Sequence, residues 1–151
     1  MDVTSRQDSG AVWNITYHFV WAPMRAKPCL TGEVAERLAE LITEKVSALP
    51  LETRALVILP DRVYVAAVAP PTVAPHHIVC QLKAHTSRQL RDEFPELTRI
   101  PTLWTRAYLV LAGETLTEED VLRSFASAQQ PRRPRGRPRK APPTPPDDQN
   151  A

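Results

Sequence analysis

From Trp13 to Trp21 apolar residues alternate with polar or weakly apolar ones (Trp13, Ile15, Tyr17, Phe19, Trp21), the period of two that marks a half-buried strand. Pro23 and Pro28 bracket a loop, after which the period changes. Val34, Leu38, Leu41, Ile42 and Val46 recur at spacings of three and four, which predicts a helix over Thr31 to Leu49. Thr31 suits its cap, Glu33 and Glu36 suit its positive end, and Pro50 stops it. Leu51 to Leu59 and Arg62 to Ala69 are two β-rich runs meeting at Pro60-Asp61, a hairpin signal. Beyond the loop of Pro70, Pro71 and Pro75, a second helix is expected from about His76 to Phe94, with Ile78, Val79, Leu82 and Leu90 on one side. Leu103 to Leu111 reads as a fourth strand that turns at Gly113. A third helix follows from Thr117 to about Gln130, with Glu118, Glu119 and Asp120 at its N-terminus.

The order βαββαβ plus a C-terminal helix predicts an α+β fold, a ferredoxin-like sandwich with two crossovers around an antiparallel four-stranded sheet. Its expected limits are 12–130, after a flexible polar N-terminus at 1–11. A chain of 151 residues has room for one such domain and a tail. Residues 131–151 hold seven of the 16 prolines and no core-forming residues, so they are expected to be a disordered appendage.

Charge sharpens that division. The chain has 19 Lys and Arg against 17 Asp and Glu; six and two of these fall in 131–151, leaving 13 and 15 in residues 1–130. The tail is therefore net +4 and residues 1–130 net −2. Cys29 and Cys80 lack metal-type spacing, and no signal peptide or membrane-length apolar run accompanies them. A cytoplasmic protein with two thiols behaving as small hydrophobes is expected.

The tail carries the most specific chemistry. Six of the ten residues from Pro131 to Lys140 are cationic: Arg132, Arg133, Arg135, Arg137, Arg139 and Lys140. Prolines and Gly136 oppose a helix, so an extended strand is expected, with no Cβ at its centre to keep it from a groove floor. Narrow A·T-rich minor grooves concentrate negative potential and attract arginine. The core Arg135-Gly136-Arg137-Pro138 resembles the AT-hook, a minor-groove DNA-binding motif. On that resemblance Arg135 and Arg137 enter the groove while Arg132, Arg133, Arg139 and Lys140 meet phosphates.

The domain resembles a family as well. Tyr17-His18-Phe19-Val20-Trp21-Ala22-Pro23, Leu30-Thr31-Gly32-Glu33-Val34-Ala35, Leu59-Pro60-Asp61, Leu82-Lys83, Ser87-Arg88, Glu93-Phe94-Pro95-Glu96-Leu97, Leu103-Trp104-Thr105-Arg106-Ala107-Tyr108, Gly113 and Gln129 stand in the order and spacing of the small single-tyrosine HUH transposases of bacterial insertion sequences. The resemblance covers roughly residues 13–130. It implies a ferredoxin-like dimer that binds hairpins in single-stranded DNA, and a tyrosine that attacks a phosphate and stays attached while a divalent metal held by two histidines neutralises charge.

This chain departs from the family at the reacting positions. The His-hydrophobic-His triplet that follows Pro60-Asp61 is replaced by Arg62-Val63-Tyr64, and arginine has no lone pair to give a metal. Four residues before Gln129 stands Phe125, without a hydroxyl, where the nucleophilic tyrosine belongs. Catalytic inactivity is expected, with no cofactor or metal. Tyr64 and Tyr108 are the candidate substitute nucleophiles. Adjacent His76 and His77 point about 100° apart on a helix and do not converge on one ion, and His85 stands without a suitable partner. Arg62 either fills the emptied site as a strand residue or binds the phosphate itself. Lys83, Arg88, Arg91 and Arg106 match basic positions of the family and are candidate DNA contacts of the core, with an ordinary solvated face as the alternative. Trp13, Trp21 and Trp104 suit either base stacking or core packing. The resulting expectation is an inactive, transposase-derived, dimeric DNA-binding regulator or nucleoid protein of A·T-rich duplexes, without a membrane role. The competing readings are a residual transposase acting on single-stranded ends and a protein-interaction module with a basic tail.

Overall fold

The computed structural model describes residues 6–8 and 11–128. Its main body follows the order expected from the periodicities. A four-stranded antiparallel sheet is formed by β3 (Thr16–Pro23), β4 (Glu52–Leu59), β5 (Arg62–Val68) and β6 (Trp104–Ala112), in the spatial order β4-β5-β3-β6. Helices α1 (Gly32–Ser47) and α2 (Pro75–Glu93) pack against each other on one face, and α3 (Glu118–Ala128) meets β3. This is the ferredoxin-like α+β architecture. No helix among the described residues is long and apolar enough to cross a membrane.

Alternation along the strands supplies both faces of the sheet. Phe19 and Trp21 of β3 and Val63 and Val65 of β5 point into the core under α1 and α2. Their neighbours Val20, Ala22, Tyr64 and Ala66 form a second, smaller core with Val121 and Phe125 of α3. The α1 stripe of Val34, Leu38, Leu41, Ile42 and Val46 is buried as its spacing demanded. Burying each such side chain contributes about 1.5–3 kcal/mol before entropy is counted. Leu59 pairs with Arg62, so Pro60 and Asp61 alone make the β4–β5 turn.

The N-terminus differs from the sequence expectation. Arg6–Asp8 (β1), within the segment read as flexible, pairs antiparallel with Ala11–Trp13 (β2) in a separate two-stranded sheet. The run from Trp13 to Trp21 is accordingly not one strand: it breaks at Asn14 and Ile15. Thr31 sits at the cap position of α1 with extended backbone, but its side chain makes no capping bond. Gly32 enters the helix at φ +56°, a left-handed conformation that favours glycine. At α3 the cap is complete. Thr117 Oγ1 accepts from the Asp120 N–H (3.2 Å) and Asp120 Oδ2 accepts from the Thr117 N–H (3.4 Å), a reciprocal capping box.

Candidate functional site

The hairpin of β4 and β5 delivers Arg62 and Tyr64 to the face of the sheet that α3 covers. Tyr64 and Phe125, 61 positions apart, thereby enter one cluster, and Arg62 borders a shallow depression with Glu118, Glu119 and Arg123 of α3. Three of the positions that the family resemblance singles out thus converge on one face. Gln129 and the tail residues Arg132, Arg133, Arg135, Gly136, Arg137, Pro138, Arg139 and Lys140 lie outside the described residues.

What these positions hold is unsuited to metal chemistry. Arg62 Nε and Nη2 donate to the two carboxylate oxygens of its neighbour Asp61 at 3.1 and 3.3 Å, a two-pronged pairing that occupies one edge of the guanidinium. Tyr64 is 3% exposed, and its hydroxyl lies 2.8 Å from His18 Nδ1. Burial first, and the charge of Glu118 second, push its pKa above 10.0, so the phenol stays protonated. That is the reverse of what a substitute nucleophile requires. Phe125, 5% exposed, packs with Val20, Ala22, Ala66 and Val121. Among the described residues no group of three or more His, Cys, Asp or Glu side chains is placed to hold a metal ion. Arg62 has no lone pair to give and the Tyr64 phenol is bonded to His18, so these two positions do not fit the divalent ion that the family resemblance implies.

His18 joins this site from the adjacent strand. It is 3% exposed, and its Nε2 donates to the Gly113 carbonyl at 2.7 Å. A carbonyl only accepts, so Nε2 carries the proton and Nδ1 is free to accept from the Tyr64 hydroxyl. The chain Tyr64–His18–Gly113 links β5, β3 and the end of β6 through fully paired polar groups. Tyr64 and His18 line a cavity of ≈ 410 Å³ together with Arg54, Glu114 and Glu118. Sequence reasoning placed His18 inside a family string without giving it a role. His18 stands on the polar step of the predicted alternation, so the spacing alone gave no sign that it would be buried.

The other candidates scatter. Lys83 Nζ donates to the Thr105 carbonyl at 2.6 Å, and burial lowers its pKa. Arg91 reaches the carbonyls of Ile100 and Pro101. Lys83 thus fastens α2 to the start of β6, and Arg91 fastens it to the segment before that strand. Arg88 and Arg106 are exposed. Trp21 and Trp104 are buried edge to face, 6.0 Å between centroids, and Trp104 Nε1 donates to Thr86, so core packing is their use. Trp13 is half-buried. His77 meets Gln81 on its own helix, and His85 Nε2 is buried without a protein partner. Tyr108 and His76 are hydrogen-bonded to each other at 2.7 Å. Cys29 packs at the edge of the core as expected of a small hydrophobe, whereas Cys80 is exposed.

Comparison with known proteins agrees with this architecture. Residues 11–129 match the family model described as IS200-like transposase. The ISDra2 transposase TnpA of Deinococcus radiodurans is 25% identical over 125 residues, covering 81% of this chain and 89% of its own. A crystal structure of a putative transposase from Deinococcus radiodurans R1 superposes with a TM-score of 0.73 at 28% identity, over 82% of this chain and 97% of that one. A REP-associated tyrosine transposase bound to a REP hairpin has the same fold at 15% identity, with a TM-score of 0.52 over 83% of this chain and 68% of that one.

Proposed function

Because this chain belongs to the IS200-like transposase family, we propose that it is a transposase-derived protein that binds DNA without cutting it. The observation that carries the reading is the occupancy of the reacting positions. Arg62 is paired with Asp61, the Tyr64 phenol is held neutral against His18, and Phe125 is packed into the small core. Restoring a metal and a nucleophile would require changing all three. A loss by one step of drift would leave part of the set intact.

Contact with DNA passes to the tail in this proposal. Arg135 and Arg137 flank Gly136 in an AT-hook-like core, and the surrounding cations suit phosphates. The domain acts as a dimer, so two weak hooks are joined and the second binds at an effective concentration in the millimolar range. Transcriptional regulation or nucleoid association is the role such a protein would serve.

Two assays on the full chain test the reading. In the first, a hairpin oligonucleotide with single-stranded flanks is incubated with Mg²⁺ or Mn²⁺ and resolved under denaturing conditions. The expected result is no protein–DNA adduct, and an adduct would overturn the claim of inactivity. In the second, duplex binding is competed with poly(dA·dT) and poly(dG·dC). Preference for A·T is expected, and it is expected to vanish in the Arg135→Ala/Arg137→Ala protein; unchanged preference there would remove the tail from the proposal.

A further inference from the structure

The cavity of ≈ 410 Å³ at the start of α3 has a chemistry that the DNA-binding reading does not use. Tyr64, His18, Leu116, Arg54, Glu114 and Glu118 are among its lining residues. The acidic residues around it divide into two groups. Glu119 and Asp120 are taken up by Arg123, and Asp120 is held by the α3 cap as well. Glu114 and Glu118 form no ion pair with another described residue. Arg54 leans away to Glu52, 3.7 Å from it. The Tyr64 hydroxyl donates to His18 and keeps a lone pair for a further donor. Two carboxylates against one guanidinium give the lining a net charge of −1 and a surplus of acceptors. That suits a cation with several N–H groups, and arginine fits it best.

We propose that the Arg135-Gly136-Arg137 segment of the tail docks at this cavity of its own domain, a guanidinium meeting Glu114 and Glu118, and is thereby held off DNA until a duplex draws it out. The proposal rests on the tail being the DNA contact.

The geometry of the chain favours this occupant over a free cation. Glu118 opens α3 and Ala128 ends it, 11 residues or about 16 Å further on. A proline-rich extended segment advances about 3.1 Å per residue, so about five residues retrace that length. Arg135 stands seven residues beyond Ala128 and Arg137 nine, which leaves slack for the reversal. Tethering keeps both at an effective concentration in the millimolar range. Charge runs the same way, with net +4 over 131–151 against net −2 over 1–130. Glu114 and Glu118 are exposed, and ion pairs at exposed carboxylates are weak. The dense phosphates of a duplex therefore displace them, and the docked tail acts as a threshold and not a lock.

The test is limited trypsin digestion of the full chain at low salt without DNA, read by mass spectrometry as cleavage of the Lys140–Ala141 bond. Cleavage follows the population of the released tail. It is expected to be about threefold faster in Glu114→Gln/Glu118→Gln and in Arg135→Ala/Arg137→Ala than in the wild type. Glu36→Gln/Glu44→Gln removes the same charge from exposed positions of α1 and should cleave like the wild type. The differences should close in about 0.5 M NaCl. Equal rates in all four proteins would overturn the proposal, as would equal acceleration in the α1 control. Acceleration by the tail substitutions alone would overturn the cavity as the docking place. Because this assay contains no DNA, its failure leaves the DNA-binding reading intact. In a separate titration, Glu114→Gln/Glu118→Gln should bind an A·T-rich duplex about threefold more tightly than the α1 control, since a larger fraction of the tail is free. A released tail with no gain in affinity would overturn the competition with DNA.

Discussion

His18 shows how one side chain fixes a local architecture. It is buried and joins Tyr64 to the Gly113 carbonyl, holding both ends of the polar chain beneath α3. His18→Ala would take the protein partner from both the phenol and the carbonyl, at up to about 1–3 kcal/mol each. Tyr64→Phe orphans only Nδ1 and should cost less. Urea unfolding of the two variants checks the ordering, and a larger loss in Tyr64→Phe would mean that the chain does not run through His18. The same pair gives an alkaline signature. The folded pKa of Tyr64 is raised above 10.0, so its contribution is complete below pH 10 and is lost as pH climbs through the higher folded value. Wild-type stability should accordingly fall more steeply above pH 10 than that of Tyr64→Phe.

At the scale of elements, α3 is the piece whose seating closes the site, and its start is the weak point to probe. The Thr117 hydroxyl caps the Asp120 N–H, while the Thr117 N–H and hydroxyl hold the Asp120 carboxylate below its usual 3.8, helped by Arg123. Thr117→Ala should cost about 1 kcal/mol by removing the cap. A depressed carboxylate stabilises above its unfolded pKa and ceases to as pH falls through the folded value, so the gap between wild type and Thr117→Ala should narrow on acidification below about pH 4. Melting curves at pH 7 and pH 3 measure it, and a constant gap would count against the capping box. Most of this scale was legible in the sequence, because stripes such as Val34-Leu38-Leu41-Ile42-Val46 and breakers such as Pro50 and Pro60 act locally. The β1–β2 pairing was not, since polar residues 6–8 carry no alternation. The site was legible only in part. Arg62, Tyr64 and Phe125 could be located by spacing, whereas the partners that neutralise them could not all be read from it. Asp61 is adjacent in sequence, but His18 and Gly113 come from strands brought together by the sheet. The same holds for His76 and Tyr108, whose contact exists only because α2 lies over β6.

For the whole molecule, the separation of charge matters more than its total. The net +2 of the chain conceals a net −2 over residues 1–130 and a tail of net +4. A domain of that sign gains nothing from phosphate in the bulk, and two of its four candidate contacts, Lys83 and Arg91, are spent on backbone carbonyls. On the proposed function, the six cations of residues 131–151 therefore supply the counterion-releasing contacts. Each phosphate neutralised contributes about −0.9 to the slope of log affinity against log salt. If all six engage duplex DNA, removing 131–151 should lower the magnitude of that slope by about 5 per bound protomer. Whatever affinity remains should belong to the domain and vary little with salt. Arg135→Ala/Arg137→Ala separates the two parts of the tail: it should remove about two of those contacts together with the A·T preference, while the flanking cations keep the rest. The measurement is fluorescence anisotropy of a labelled duplex titrated at several salt concentrations with the three proteins. A truncated protein that keeps the full slope would place the phosphate contacts on the folded domain, with exposed Arg88 and Arg106 the first residues to replace.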